Sequence, residues 1–197
     1  RFEVPATGLF HLANAWEEGG TVQVRFVAQP DILGTLRQLN VDSARSPAVQ
    51  ATQWTQLTLT PATGQARMEA PGLANVEFPR IHPARQGLAT RFTTLLARSP
   101  GMDARVHGYD GVLTLQGDTP RRYTYGQGWI AEEHVYVPAT PTAPEGRGWV
   151  LGTAYHWPTE RTTLSVFDAQ AVDAGPVARI ALPYGLPLGL HGQFVPA

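Results

Sequence analysis

Short stretches in which apolar and polar residues alternate, each closed by Gly, Pro, Asn or Asp, recur along this chain of 197 residues. In Thr21-Val22-Gln23-Val24-Arg25-Phe26-Val27, the residues Val22, Val24 and Phe26 share one face, as side chains two apart do in an extended strand. The spacing predicts further strands at Gln53–Thr60, Thr90–Ala97, Val112–Leu115, Arg122–Tyr125, His134–Val137, Trp149–Tyr155, Thr163–Phe167 and Val177–Leu182. Helical spacing occurs at one place, Asp31–Leu39, where Ile32, Leu36 and Leu39 lie on one side behind Asp31 as N-cap. A chain patterned this way is all-β: a sandwich, a barrel or a propeller. No fixed-period repeat runs through it, which speaks against a WD-type propeller. Residues 139–148 (ATPTAPEGRG) are the richest in turn formers, yet strands flank them closely, so they read as a surface loop and the chain as a single unit.

Composition then removes most kinds of chemistry. A formal net charge of −1 provides no basic field for nucleic acid. All fifteen basic residues are Arg, so a Walker lysine, a Schiff-base lysine and a Ser–Lys nucleophile are excluded within the chain. The absence of Cys excludes disulfides, thiolate metal ligands and a Cys nucleophile. Four serines are present, none in a G-x-S-x-G elbow. What remains is His, carboxylates, Tyr and backbone. The chain opens on Arg1, carries no signal-peptide pattern and has no apolar run of membrane-spanning length.

Six histidines are available. His11 sits in Leu9-Phe10-His11-Leu12-Ala13-Asn14, and His191 sits between glycines in Leu188-Gly189-Leu190-His191-Gly192. Apolar surroundings keep an imidazole neutral, which is the form a metal binds, and flanking Gly permits close backbone approach. These two are the candidate ligands. The contexts of His82, His107, His134 and His156 point to turns and strand packing. Two carboxylates, Glu77 and Glu133, precede an aromatic–Pro segment and a strand, where a buried Glu requires a partner. Either could accept the outer ring N–H of a ligand His and fix its tautomer. The plainer alternatives are an ion pair of Glu77 with Arg80 or Arg85, and a solvated turn that Glu133 shares with Glu132.

At these residues the chain resembles the carotenoid cleavage oxygenases. Phe10-His11-Leu12-Ala13-Asn14-Ala15-Trp16-Glu17-Glu18 is similar to their F-H-x-x-N-A-[YW]-E-[ED] motif, and Glu77-Phe78-Pro79-Arg80-Ile81 to E-[FL]-P-R-I. Glu133-His134-Val135-Tyr136-Val137-Pro138 resembles E-x-x-F-V-P, Glu145-Gly146-Arg147-Gly148-Trp149-Val150-Leu151 resembles E-D-D-G-W-[VL]-L, and Phe167-Asp168-Ala169 resembles [LV]-D-A. The run from Leu182-Pro183 to Leu188-Gly189-Leu190-His191-Gly192 is similar to the closing L-P-x-x-[VL]-P-x-G-[FL]-H-G. His82 stands where the family commonly has Asn, and Gly146-Arg147 replaces an acidic pair; both read as surface or turn variation.

The resemblance implies a seven-bladed β-propeller with a non-haem Fe(II) on its axis, held by four His that three Glu orient. Such an enzyme cleaves a conjugated C=C bond of a carotenoid or apocarotenoid with O2, or of a phenolic stilbene, to carbonyl products. By motif, His11 and His191 match the third and fourth iron ligands, and Glu77 and Glu133 match two of the orienting carboxylates. The other two His and the third Glu would lie upstream of Arg1. The chain is then expected to be the C-terminal part, about three and a half blades' worth, partnered by its N-terminal half as a separate chain. The Trp16-Glu17-Glu18 variant and the closing motif lean towards carotenoid or apocarotenoid cleavage. Absence of Lys fits a GC-rich bacterial source; absence of Cys and of a signal fits a cytoplasmic enzyme, at most peripheral to membranes. Two rivals use the same residues differently: a facial triad of His11, His191 and one carboxylate on Fe(II), and a metal-free propeller or sandwich binding module.

Overall fold

A computed structural model describes residues 1–38, 50–103 and 106–195. Twelve strands form three four-stranded sheets, each a meander in which neighbours in sequence are neighbours in space. The first sheet holds β1 (Gly8–Glu18), β2 (Thr21–Gln29), β3 (Gln53–Thr60) and β4 (Gln65–Glu69). The second holds β5 (Val76–Ile81), β6 (Phe92–Ala97), β7 (Gly111–Gln116) and β8 (Thr119–Thr124). The third holds β9 (Trp129–Pro138), β10 (Gly148–His156), β11 (Arg161–Asp168) and β12 (Ala178–Ala181). Every pairing is antiparallel. The described residues therefore make three four-stranded sheets, where three and a half blades' worth of strands was expected; residues 182–195 form no strand.

The three sheets stack face to face. One apolar cluster, Val27, Trp54, Val76, Leu95, Ala97, Leu113 and Leu115, fills the space between the first and second. A second, Phe92, Val112, Tyr136, Val150, Phe167, Ala169 and Val172, fills the space between the second and third. Alternate residues of β6 go to different clusters: Leu95 and Ala97 to one, Phe92 to the other. A strand covered on both faces loses its polar alternation and reads as continuously apolar. Burying a side chain such as Phe92 or Leu95 contributes about 1.5–3 kcal/mol.

The first strands of the sheets, β1, β5 and β9, lie against one another in sequence order and form the inner rim. Their outer counterparts, β4 and β12, are short, and β12 is exposed throughout. The helix α1 (Ile32–Gln38) starts where expected, with Asp31 Oδ1 accepting from the Gly34 N–H at 2.9 Å. It buries a different face from the one expected: Gly34 is buried, Leu36 is 49% exposed, and Leu39 lies outside the described residues. Ile32 packs so closely over β1 that a Cβ on Gly8 would fall 2.5 Å from its side chain. No helix among the described residues is long and apolar enough to cross a membrane.

Candidate metal centre

The ladders are regular except at the inner rim. Between Leu9 and Leu12, β1 has one residue more than β2, and it gains another between Leu12 and Asn14. Between Glu77 and Arg80, β5 has one residue more than β6. Between Ala131 and His134, β9 has one residue more than β10. An extra residue breaks the strict alternation of faces and re-aims the side chains beside it. His11, Glu77, Arg80, Glu132 and Glu133 all sit in or at the edge of these irregularities. In β5 the disruption centres on Phe78, which holds φ 53°, a left-handed conformation costing a bulky residue about 1–2 kcal/mol. That turn points the Phe78 N–H back at the Glu77 carboxylate, to Oε2 at 2.5 Å.

The result gathers residues far apart in sequence. His11 Nδ1 lies 2.6 Å from Glu77 Oε2, and His191 Nδ1 lies 3.3 Å from Glu133 Oε1. A carboxylate only accepts, so Nδ1 carries the proton in each ring and Nε2 presents its lone pair. The two Nε2 atoms face each other at 3.4 Å. Two lone pairs at that distance repel unless a cation lies between them, and one ion at about 2.1 Å from each nitrogen would span the gap. The donor set therefore fits a metal ion held by two neutral imidazoles, each oriented through its outer nitrogen. Phe78 walls the pair, its ring centroid 4.8 Å from that of His11 and 5.7 Å from that of His191.

The two carboxylates are held differently. Glu77 is buried and its Oε1 accepts from Gln29 Nε2 at 2.9 Å, a neutral donor. Its hydrogen bond raises the pKa of His11, with burial working against it. Glu133 is also buried, which opposes its ionisation, but the Arg80 guanidinium and the Gly192 N–H outweigh burial and hold its carboxyl below the usual range. Arg80 grips it as a fork, Nε to Oε1 and Nη2 to Oε2, both at 2.8 Å.

These contacts correct two readings of the sequence. The partners of Glu77 are His11 and Gln29, while Arg80 crosses to Glu133 on another sheet. Glu133 is no solvated turn: it is buried in the middle of β9. His82 is buried, so it is no surface variation, although it does begin a turn by accepting the Ala84 N–H on Nδ1; Gly146 is buried in a turn at φ 76° and Arg147 is exposed, as turn variation requires. His134 packs inside the third sheet, bonded to the Glu132 carbonyl and to the Tyr125 hydroxyl. His156 stacks on Trp129, ring centroids 4.6 Å apart. Among the described residues no group of three or more His, Asp or Glu is placed to hold one ion, and both candidate carboxylates lie on the far side of the imidazoles from Nε2. A facial triad of His11, His191 and one carboxylate does not form. Gln29 and Arg80 were missed as site residues; Pro79, rare inside a paired strand, was the one local sign of the irregularity that aims Arg80.

Comparison with known proteins places this arrangement in context. The family model described as "RPE65: Retinal pigment epithelial membrane protein" matches residues 1–196. The carotenoid 9,10(9',10')-cleavage dioxygenase 1 of Arabidopsis thaliana is 28% identical over 98% of the chain and 37% of its own length. The isoeugenol monooxygenase of Pseudomonas putida is 27% identical over 97% of the chain and 42% of its own length. A crystal structure of the cobalt-substituted Synechocystis apocarotenoid oxygenase superposes with a TM-score of 0.85 at 24% identity, covering all of the chain and 41% of that protein. The chain thus spans about two fifths of the proteins it matches, and the three sheets have their counterpart in the blades of these propeller enzymes.

Proposed function

The chain belongs to the retinal pigment epithelial membrane protein family, that of the carotenoid cleavage dioxygenases, and we propose that the intact protein is a non-haem Fe(II) dioxygenase cleaving a conjugated C=C bond of a carotenoid or apocarotenoid. The observation that carries this reading is the facing of His11 Nε2 and His191 Nε2 at 3.4 Å, with each Nδ1 held by a carboxylate. His11 and His191 supply two imidazole ligands; two more His come from the part of the protein upstream. An Fe(II) ion held by these imidazoles would supply the site for activating O2. Glu77 and Glu133 keep the rings in the tautomer that leaves Nε2 open, and Phe78 keeps the rings in place and excludes water from their sides. None of these groups needs to move a proton in the reaction: a C=C bond and O2 become two C=O bonds, with no hydrogen and no external reductant consumed.

The exposed apolar side chains around the pair support an incomplete propeller. Phe10 and Leu12 on β1, and Leu188 and Leu190 beside His191, are 39–71% exposed. Monomers rarely expose large contiguous apolar surface, and the upstream part of the protein would cover these side chains.

Similarity to the isoeugenol monooxygenase favours a second reading, a phenolic substrate whose double bond is conjugated to the ring, for which a hydroxystilbene is the probe, at the same centre. One experiment separates the readings: metal analysis of the intact protein, its His11→Ala and His191→Ala variants, and product analysis with β-apocarotenals and hydroxystilbenes. Iron in the parent, lost in both variants, with two carbonyl products from the polyene, is the expected result. Carbonyls from the stilbene alone would select the second reading. No metal in the parent, with ligand binding unaffected by either substitution, would replace both by a metal-free binding module.

A further inference from the structure

We propose that Arg80 is a positioning residue for His191, and that it acts by clamping the C-terminal segment to Glu133. The inference rests on the reading of His191 as a metal ligand. His191 is on no strand or helix: residues 182–195 run without regular structure, and the His191 side chain is 57% exposed. Among the described residues, the hydrogen bonds made from Gly189 onward run to Glu132, Glu133, Arg80 and His11 alone. The segment is held by side chains of the inner rim instead of a ladder.

Within that set Arg80 closes a ring. Its Nε and Nη2 donate to the two oxygens of Glu133, and the same Nη2 donates to the Gly192 carbonyl at 2.8 Å. Glu133 Oε2 in turn accepts the Gly192 N–H at 2.7 Å, and Oε1 faces His191 Nδ1. Both backbone polar groups of the residue after His191 are thus fixed by one ion pair. A guanidinium can serve three acceptors in its plane, which a lysine ammonium, a compact point charge, cannot do with the same fixed geometry. Arg80 also sets the character of Glu133. Where Glu77 faces a neutral amide, Glu133 shares its charge with a cation and meets its imidazole at the longer distance. Without Arg80, Glu133 would be a buried carboxylate with no cation beside it, and Gly192 would lose the partner of its carbonyl.

The test is made on the intact protein with Co(II) as the probe, reading its dissociation constant and its visible absorption in the parent, Arg80→Met, Arg80→Lys and His191→Ala. Arg80→Met is expected to weaken Co(II) binding by roughly tenfold or more and to alter the absorption band, as loss of partners behind metal ligands does. Arg80→Lys should fall between it and the parent. Added guanidinium at low concentration should restore part of the affinity of Arg80→Met and none of that of His191→Ala. Affinity within twofold of the parent in both Arg80 variants, while His191→Ala loses the ion, overturns the assignment and leaves the proposed function standing. Should Arg80→Met fail to fold, Arg80→Lys alone is read by the same criterion. Unchanged binding in His191→Ala overturns the ligand reading, and this inference with it.

Discussion

Glu132 and Glu133 are consecutive in a strand, yet both carboxylates hold the same stretch of chain: Glu132 Oε1 accepts the Gly189 N–H, and Glu133 Oε2 accepts the Gly192 N–H. In a regular strand they would point to opposite faces. The extra residue of β9 between Ala131 and His134 removes that alternation, so one acidic pair staples the segment carrying His191 at two points. Glu132 also accepts from Thr153 Oγ1 on the neighbouring β10, which fixes the staple to the sheet.

Removing the first staple should loosen the segment before it disturbs the fold. Glu132→Ala leaves β9 paired and frees the chain at Gly189. We expect faster cleavage between Leu186 and Gly192 in limited proteolysis, with overall stability reduced by about 1.5–3 kcal/mol, the scale of one hydrogen bond to a charged group. Mass spectrometry of the fragments checks this. Cleavage at the parent rate would mean that Glu132 does not restrain the segment.

The pairing of Gln29 with Glu77 allows orientation to be separated from charge. In Glu77→Gln the new amide can still accept from His11, but its NH2 then meets the Gln29 NH2, and a buried donor is left unpaired at a cost of about 1–3 kcal/mol. Exchanging the two, Gln29→Glu with Glu77→Gln, restores a donor facing an acceptor. Stability should recover in the double variant, while metal affinity stays roughly tenfold or more below the parent because a neutral amide now backs His11. Urea unfolding and Co(II) titration of the three variants give the two readouts. Affinity that recovers along with stability would show that the carboxylate charge is unimportant.

Gly152 stands opposite His134 in the β9–β10 ladder for lack of space. A Cβ there would lie 2.3–2.6 Å from three atoms of the His134 ring. The ring cannot retreat, since its Nδ1 is 2.6 Å from the Glu132 carbonyl and its Nε2 2.9 Å from the Tyr125 hydroxyl. Gly152→Ala should cost about 1–3 kcal/mol, the usual penalty of overpacking. Gly189→Ala is the control: its Cβ would meet only Glu132 Oε1 at 3.5 Å, an ordinary contact. Thermal unfolding that ranks the two variants equally would contradict this account.

What could be read in the sequence was what obeys a period. Gln53–Thr60 was located to the residue, and Thr21–Val27 falls inside β2; the two strands pair with each other without a register shift, and the extra residues in the ladder between β1 and β2 belong to β1. The strands β1 and β5 were not recognised as strands: the first contains two extra residues, the second a Phe at φ 53° and a Pro, and in both the alternation on which strand recognition depends is broken. β4 failed for another reason: it is a five-residue edge strand whose apolar face consists of Ala66 and Met68 alone, too short a run to stand out. The site depends on these irregular places. His11, His191, Glu77 and Glu133 could still be picked out by residue type and motif, because chemistry there requires particular side chains. Their partners could not. Arg80 lies three residues from Glu77 and stood with Arg85 as its alternative partner by proximity, whereas the fold carries it across to Glu133, 53 residues on.

Burial of His134 makes stability depend on pH. The ring lies wholly inside the third sheet, and burial lowers its pKa from the ordinary 6.5 to about 4, even though the Glu132 carbonyl and the charge of Glu133 favour the protonated form. In the unfolded chain His134 takes up a proton near pH 6.5; in the folded protein it does so only near pH 4. Between these values the unfolded state binds more protons, so stability falls as the pH is lowered through this window. Above pH 6.5 the group contributes no slope, and below pH 4 its loss is complete. The full difference corresponds to about 3 kcal/mol. His134→Gln keeps a donor and an acceptor in the cavity without a titrating group. Urea unfolding of parent and variant at pH 7.5 and pH 5 should show the larger fall in the parent, with the excess disappearing in the variant. An equal fall in both would place the acid sensitivity elsewhere and show that His134 is already protonated in the folded state or shifted far less than its burial implies.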